Sequence, residues 1–117
     1  MSGKFDNSKG NVRIANSVIA KIAGYAATSC YGVVGMSIKS SKDGIARLLK
    51  REQMDKGVKI KVQDKGIEIS LYIIAEYGTN IGTIGELIRN SVKYQVEQMT
   101  GINVTSVQVN IEGIRVE

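Results

Sequence analysis

Hydrophobic positions along this chain follow two rhythms. Val18, Ile19, Ile22, Ala23 and Ala26 recur at three- and four-residue intervals, the spacing that gathers side chains on one stripe of an α-helix. Asn16 or Ser17 offers a side-chain oxygen to the first free amides of that helix. The helix is therefore predicted to begin there, after a short strand at Val12-Arg13-Ile14. A longer helix is predicted from Asn80 to Met99, where Ile81, Ile84, Leu87, Ile88, Val92, Val96 and Met99 keep helical spacing. At ~1.5 Å per residue it runs about 30 Å. Asn80 is its cap, and Gly101 supplies the left-handed residue that closes it.

The second rhythm has a period of two. Val58-Lys59-Ile60-Lys61-Val62 alternates strictly, Asp64-Lys65-Gly66 supplies a turn, and Ile67-Glu68-Ile69-Ser70-Leu71 resumes the alternation. That is a β-hairpin. Its second strand continues through Ile73, Ile74 and Ala75, where the lost alternation predicts burial on both faces. Val104 to Val116 alternates again, with Val107, Val109 and Ile111 on one face and Ser106, Gln108 and Asn110 on the other, until Gly113 shifts the pattern as a bulge would. Between the first helix and the hairpin, Val33 to Ile38 reads as a strand with Gly35 marking a bulge. Ile45, Leu48 and Leu49 then form a short amphipathic helix that Gly57 ends.

The predicted order is β-α-β-(α)-β-β-α-β. It describes an α/β two-layer sandwich, a mixed sheet with two long helices on one face. The other face presents Lys59, Lys61, Glu68, Ser70, Tyr72, Ser106, Gln108 and Asn110, open to solvent, a partner or a second copy. Residues 1–10 are polar and read as a disordered N-terminal tail; residues 11–117 read as one domain.

Composition narrows the chemistry. Among 117 residues there is no His, Trp or Pro and one Cys. Imidazole-based triads, imidazole metal ligands and an internal disulfide are thereby excluded, and a reducing cytoplasm is the expected compartment. The glutamates Glu68, Glu76, Glu86 and Glu97 are dispersed, so no catalytic pair is named; no catalytic, cofactor-binding or metal residue is assigned. Cys30 has no base beside it and reads as a small buried hydrophobe. No apolar run approaches the ~18 residues needed to span a bilayer.

The net charge of +5 sits in one segment. Residues 39–61 hold eight basic and three acidic residues, and the rest of the chain is balanced. Lys42, Arg47, Lys50, Arg51, Lys59 and Lys61 form a candidate partner-binding patch, suited to nucleic acid, anionic lipid or an acidic protein surface. A solvated helix face is the plainer reading, because acids are interspersed and no aromatic ring is interleaved to stack bases. Ile81-Gly82-Thr83-Ile84-Gly85-Glu86-Leu87-Ile88 matches the I-G-x-x-G-x-x-I string of KH domains. A KH loop, however, joins two helices and usually carries a basic residue, whereas here a strand and turn come first. The alternative is a glycine-softened first helical turn.

The run Asn11-Val12-Arg13-Ile14-Ala15-Asn16-Ser17-Val18-Ile19-Ala20-Lys21-Ile22-Ala23, followed by Ala26-Ala27 and Tyr31-Gly32-Val33-Val34-Gly35-Met36, resembles the start of the bacterial alkaline shock protein family, also described as Gls-type general stress proteins. The resemblance continues through Leu71 to Gly78, Val92-Lys93, Val96, Gly101-Ile102 and Val104 to Val116, so it covers nearly all of residues 11–116. It implies a small non-enzymatic protein of envelope homeostasis under alkaline or other stress. Some members cluster beside the membrane, held by a separate membrane-spanning anchor. The expected function is accordingly a protein-interaction or self-association module, cytoplasmic or peripheral at the inner membrane face through a membrane-anchored protein partner. Candidate contacts on the open sheet face are Ser70, Tyr72, Gln108 and Asn110. The alternative is an RNA-binding module using the 39–61 segment and the KH-like string.

Overall fold

The computed structural model describes residues 12–38 and 48–116. In chain order the elements are α1 (Val12–Thr28), β1 (Val33–Met36), a 3-10 turn (Arg51–Gly57), β2 (Val58–Gln63), β3 (Gly66–Glu76), α2 (Ile81–Thr100) and β4 (Val104–Arg115). The two helices lie against one face of a mixed sheet, which is the two-layer α/β arrangement expected. β3 is its central strand: β1 and β2 pair with it antiparallel, and β4 pairs with it parallel.

Three readings are corrected. Val12-Arg13-Ile14 is not a strand but the first turn of α1, so Asn16 and Ser17, read as its caps, lie inside the helix instead. Lengthening an existing helix by a turn incurs no new nucleation cost, whereas three residues offer little ladder to a strand. The short helix read around Ile45, Leu48 and Leu49 is also revised. Ile45 lies outside the described residues, and Leu48 instead forms a single antiparallel bridge with Ser37. Leu49 N–H donates to the Met36 carbonyl at 2.8 Å, and the helical turn comes later, at Arg51–Gly57. Finally, the buried stripes are narrower than the spacing suggests: Val18 on α1 and Ile81, Leu87 and Met99 on α2 are exposed, while Ile19, Ala23 and Ala26 on α1 and Ile84, Ile88, Val92 and Val96 on α2 are buried.

β1 and β2 occupy the same edge of β3 end to end. β1 pairs with Ile73–Ala75 and β2 with Gly66–Leu71, so residues 37–57 form an excursion out of what is otherwise one strand. Its two ends press together: a side chain at Gly57 would place its Cβ 2.7 Å from the Ser37 carbonyl oxygen. The register shift near Gly35 and the one between Ile73 and Ile74, opposite Glu112–Gly113, are the predicted bulges; a further shift at Thr105 was not read.

Alternation along β3 divides its side chains. Ile67, Ile69, Leu71, Ile73 and Ala75 face the helices and are fully buried with Ile19, Ala23, Ala27, Ile88, Val92 and Val96. Glu68, Ser70 and Tyr72 face the other way. Ile74 is also fully buried but stands apart from that core, so the outer face closes toward the β1 end, as the lost alternation foretold.

Candidate functional site

The outer face of the sheet is the candidate surface. The antiparallel register sets Lys59 opposite Ser70 and Lys61 opposite Glu68; the parallel register sets Glu68 beside Ser106, Ser70 beside Gln108 and Tyr72 beside Asn110. All four open-face residues read from the sequence are therefore brought together as two adjacent pairs. Gln108 is exposed, while Ser70, Tyr72 and Asn110 are half-buried between neighbouring strands.

Side chains on this face are ordered by one another. Gln63 Nε2 donates to Glu68 Oε1 at 3.3 Å, and Ser106 Oγ donates to Glu68 Oε2 at 3.3 Å. The Thr105 hydroxyl lies 3.0 Å from both Gln63 Oε1 and the Ile67 carbonyl oxygen. Asn110 Nδ2 donates to the Leu71 carbonyl at 3.1 Å. Gln63 was missed in the sequence although it shares the parity of Lys59 and Lys61 on β2. Thr105 carried no signal, because only the bulge turns it toward Gln63.

Of the basic patch, the described residues include Lys50, Arg51, Lys59 and Lys61. Lys59 and Lys61 are exposed on the sheet, Lys50 is exposed where the excursion returns, and Arg51 starts the 3-10 turn. Lys42 and Arg47 lie outside the described residues. In the KH-like string Gly82 and Gly85 sit in the first turns of α2, after a strand and turn rather than between two helices, as the reading of a glycine-softened helical turn expects. Two of its amides are engaged: Asn80 Oδ1 accepts from Thr83 N–H at 3.0 Å and the Asn80 carbonyl accepts from Ile84 N–H at 3.0 Å. Asn80 is thus the cap that the spacing predicted.

Cys30 is partly buried, and burial pushes its thiol above the ordinary range, against a weaker hydrogen bond with Ser91. A protonated thiol is a poor nucleophile. Among the described residues, no cluster of three or more His, Cys, Asp or Glu side chains could hold a metal ion, and no helix is long and apolar enough to cross a membrane.

Comparison with known proteins places these features in context. The profile of the ASP23 family, described as having cell envelope-related function, matches residues 4–116. The uncharacterized protein YloU of Bacillus subtilis is 40% identical over 117 residues, covering 99% of this chain and 98% of that protein. A stress response regulator gls24 homolog of Streptococcus pyogenes is 30% identical over 110 residues, covering 92% of this chain and 60% of that protein. Among solved structures, a variant of the MamM CTD superposes with a TM-score of 0.52 at 15% identity, covering 86% of this chain and 96% of that one. That likeness concerns the fold alone.

Proposed function

The chain belongs to the ASP23 family, the alkaline shock or Gls-type stress proteins of cell envelope-related function, and from that premise we propose that it is a non-enzymatic module that docks an envelope-linked protein on its open sheet face. The carrying observation is the hydrogen-bonded net of Gln63, Glu68, Thr105 and Ser106 beside the Tyr72 and Asn110 pair. A polar surface ordered before binding loses less side-chain entropy on association. Tyr72 adds a half-buried aromatic ring that carries a hydroxyl, the kind of side chain that anchors mixed interfaces. Docking of this sort brings a chain to the inner membrane face through its partner.

Size sets the strength of such an interaction. Three strand columns at ~4.8 Å and about six residues at ~3.3 Å give roughly 290 Å² of flat surface, well under the ~800 Å² per partner of a standard stable interface. A transient, micromolar contact is the expectation. The test is capture of the tagged protein from its native host in mild detergent, with and without ribonuclease, beside the Gln108→Arg, Ser106→Arg double variant. Recovery of an envelope protein that survives ribonuclease and is lost with the variant supports docking on this face. Recovery unchanged in the variant, or only ribonuclease-sensitive RNA, overturns it.

A further inference from the structure

β4 has a neighbour on one side only. Among the described residues it pairs with β3 and with nothing on its other edge. The direction of each main-chain group follows from the ladder. Ser37 N–H donates to the Tyr72 carbonyl and Glu76 N–H to the Gly32 carbonyl, so even-numbered β3 residues bond toward β1 and β2; Ile67 N–H donates to the Asn103 carbonyl, so odd-numbered ones bond toward β4. In a parallel ladder a residue bonds to the two residues flanking its partner. Ile69, Leu71 and Ile73, partnered with Val107, Val109 and Ile111, therefore bond to Ser106, Gln108, Asn110 and Glu112. The N–H and C=O groups of Val107, Val109 and Ile111 point out of the sheet.

The rest of this edge is guarded. At its start, Val104 N–H donates to Glu97 and the Val104 carbonyl accepts from Lys93; at its far end the register breaks opposite Glu112–Gly113. Between these guards, Thr105 to Ile111 contains no charge and no proline, the two usual devices that keep an exposed edge from pairing. Val109 and Ile111 are only partly buried.

We infer that this edge pairs with the same edge of a second copy, antiparallel about a twofold axis at Val109. A second copy fits because the register is self-complementary. With Val109 opposite its own counterpart, Val107 faces Ile111 of the second copy and Ile111 faces Val107, so all three outward residues of each strand find partners and six main-chain hydrogen bonds form. The same register sets Gln108 against Asn110 on the outer face, amide to amide, and valine and isoleucine against one another on the helix side. No like charges meet along the paired stretch. An axis at Gln108 instead leaves Ile111 opposite Thr105, which the register shift displaces from the ladder. The resulting dimer joins two sheets into one and doubles the open outer face, independently of what that face docks.

Pairing of five residues, Val107 to Ile111, buries less than the ~1,200 Å² of a stable complex, so the dimer is expected to be weak and concentration-dependent. Sedimentation equilibrium from about 10 μM to about 1 mM should show a 12.7 kDa species giving way to one twice as heavy, weakened at least about tenfold by Val109→Pro. That variant removes an N–H that β3 does not use, in a position where an edge strand accepts proline; Val109→Lys, which sets like charges at the axis, serves if the first does not fold. Amide exchange supplies the residue-level reading. Ser106, Gln108 and Asn110 should be protected at every concentration, and Val107, Val109 and Ile111 only where the dimer is populated. A monomer throughout the range, free exchange at those three amides, or a dimer indifferent to both variants overturns the inference. An envelope partner still captured by a strictly monomeric protein would reject this edge pairing and leave the docking face standing.

Discussion

The carboxylate of Glu97 accepts a hydrogen bond from the main-chain N–H of Val104 at 2.9 Å. Lys93, one turn earlier on α2, donates to the Val104 carbonyl at 2.9 Å and to Glu97 at 3.0 Å. The salt bridge thus brackets the first residue of β4 and fixes the strand where the chain reverses at Gly101, whose φ of 76° is left-handed. Glu97→Ala should cost about 1 kcal/mol, the net worth of such a bond at a half-exposed site, measured by urea unfolding.

That bracket also carries a pH dependence. The Val104 N–H, and after it Lys93, hold the Glu97 carboxyl below its ordinary value of 4.5. As pH falls, the unfolded chain therefore takes up this proton before the folded protein does, and stability rises with pH across that interval. The contribution is complete above the ordinary value and is lost as pH falls through the folded one. Urea midpoints between about pH 3 and pH 7 should show a shallower acid limb for Glu97→Gln than for the parent.

Glycines separate crowding from helix propensity. At Gly57 an added Cβ meets the Ser37 carbonyl oxygen at 2.7 Å and Met36 Cβ at 3.1 Å, so Gly57→Ala must part the two ends of the excursion. A loss on the order of 1–3 kcal/mol is expected. Gly82 has only Asn80 Oδ1 near the equivalent position, at 3.5 Å. Gly82→Ala should be neutral or stabilising by up to ~1 kcal/mol. Thermal melts of the two variants, moving in opposite directions, would bear this out.

On α2, burial and not hydrophobicity should rank the substitutions. Ile88 is fully buried, and Ile88→Ala should cost about 2–5 kcal/mol through lost burial and the cavity left behind. Met99 is 66% exposed, and Met99→Ala should stay within about 0.5 kcal/mol. Equal losses at the two sites would contradict the placement of the stripe.

Cys30 should alkylate slowly. Burial raises its thiol above the ordinary range, so at neutral pH the thiolate fraction is smaller than that of an exposed cysteine. Iodoacetamide should modify the folded protein more slowly than the urea-unfolded chain, and a faster reaction in the folded state would contradict this environment.

Several features were legible before any coordinates. The period-two run from Val58 to Leu71 reads as a hairpin because a strand's side chains alternate whatever lies around them, and Asn80 and Gly101 read as helix ends because capping is local. Ser70, Tyr72, Gln108 and Asn110 were placed on one face for the same reason. The first strand at Val12 was misread because three alternating residues fit one turn of helix equally well. Ile81, Leu87 and Met99 were misread because spacing gives an angle around the helix and not what stands opposite it.

What the chain determined by itself is therefore governed by neighbours within about four residues: the body of both long helices, the ends of α2, the hairpin, the bulge near Gly113 and the sidedness of the hairpin strands and β4. Tertiary structure alone decided that β1 and β2 share one edge of β3, that Lys93 and Glu97 bracket Val104, and that Val107, Val109 and Ile111 turn their main-chain groups outward. Those outcomes depend on which strands lie side by side. Alternation is the same on a central strand and on an edge, so only the assembled sheet distinguishes a hydrogen-bonding group that is already paired from one that is free to pair.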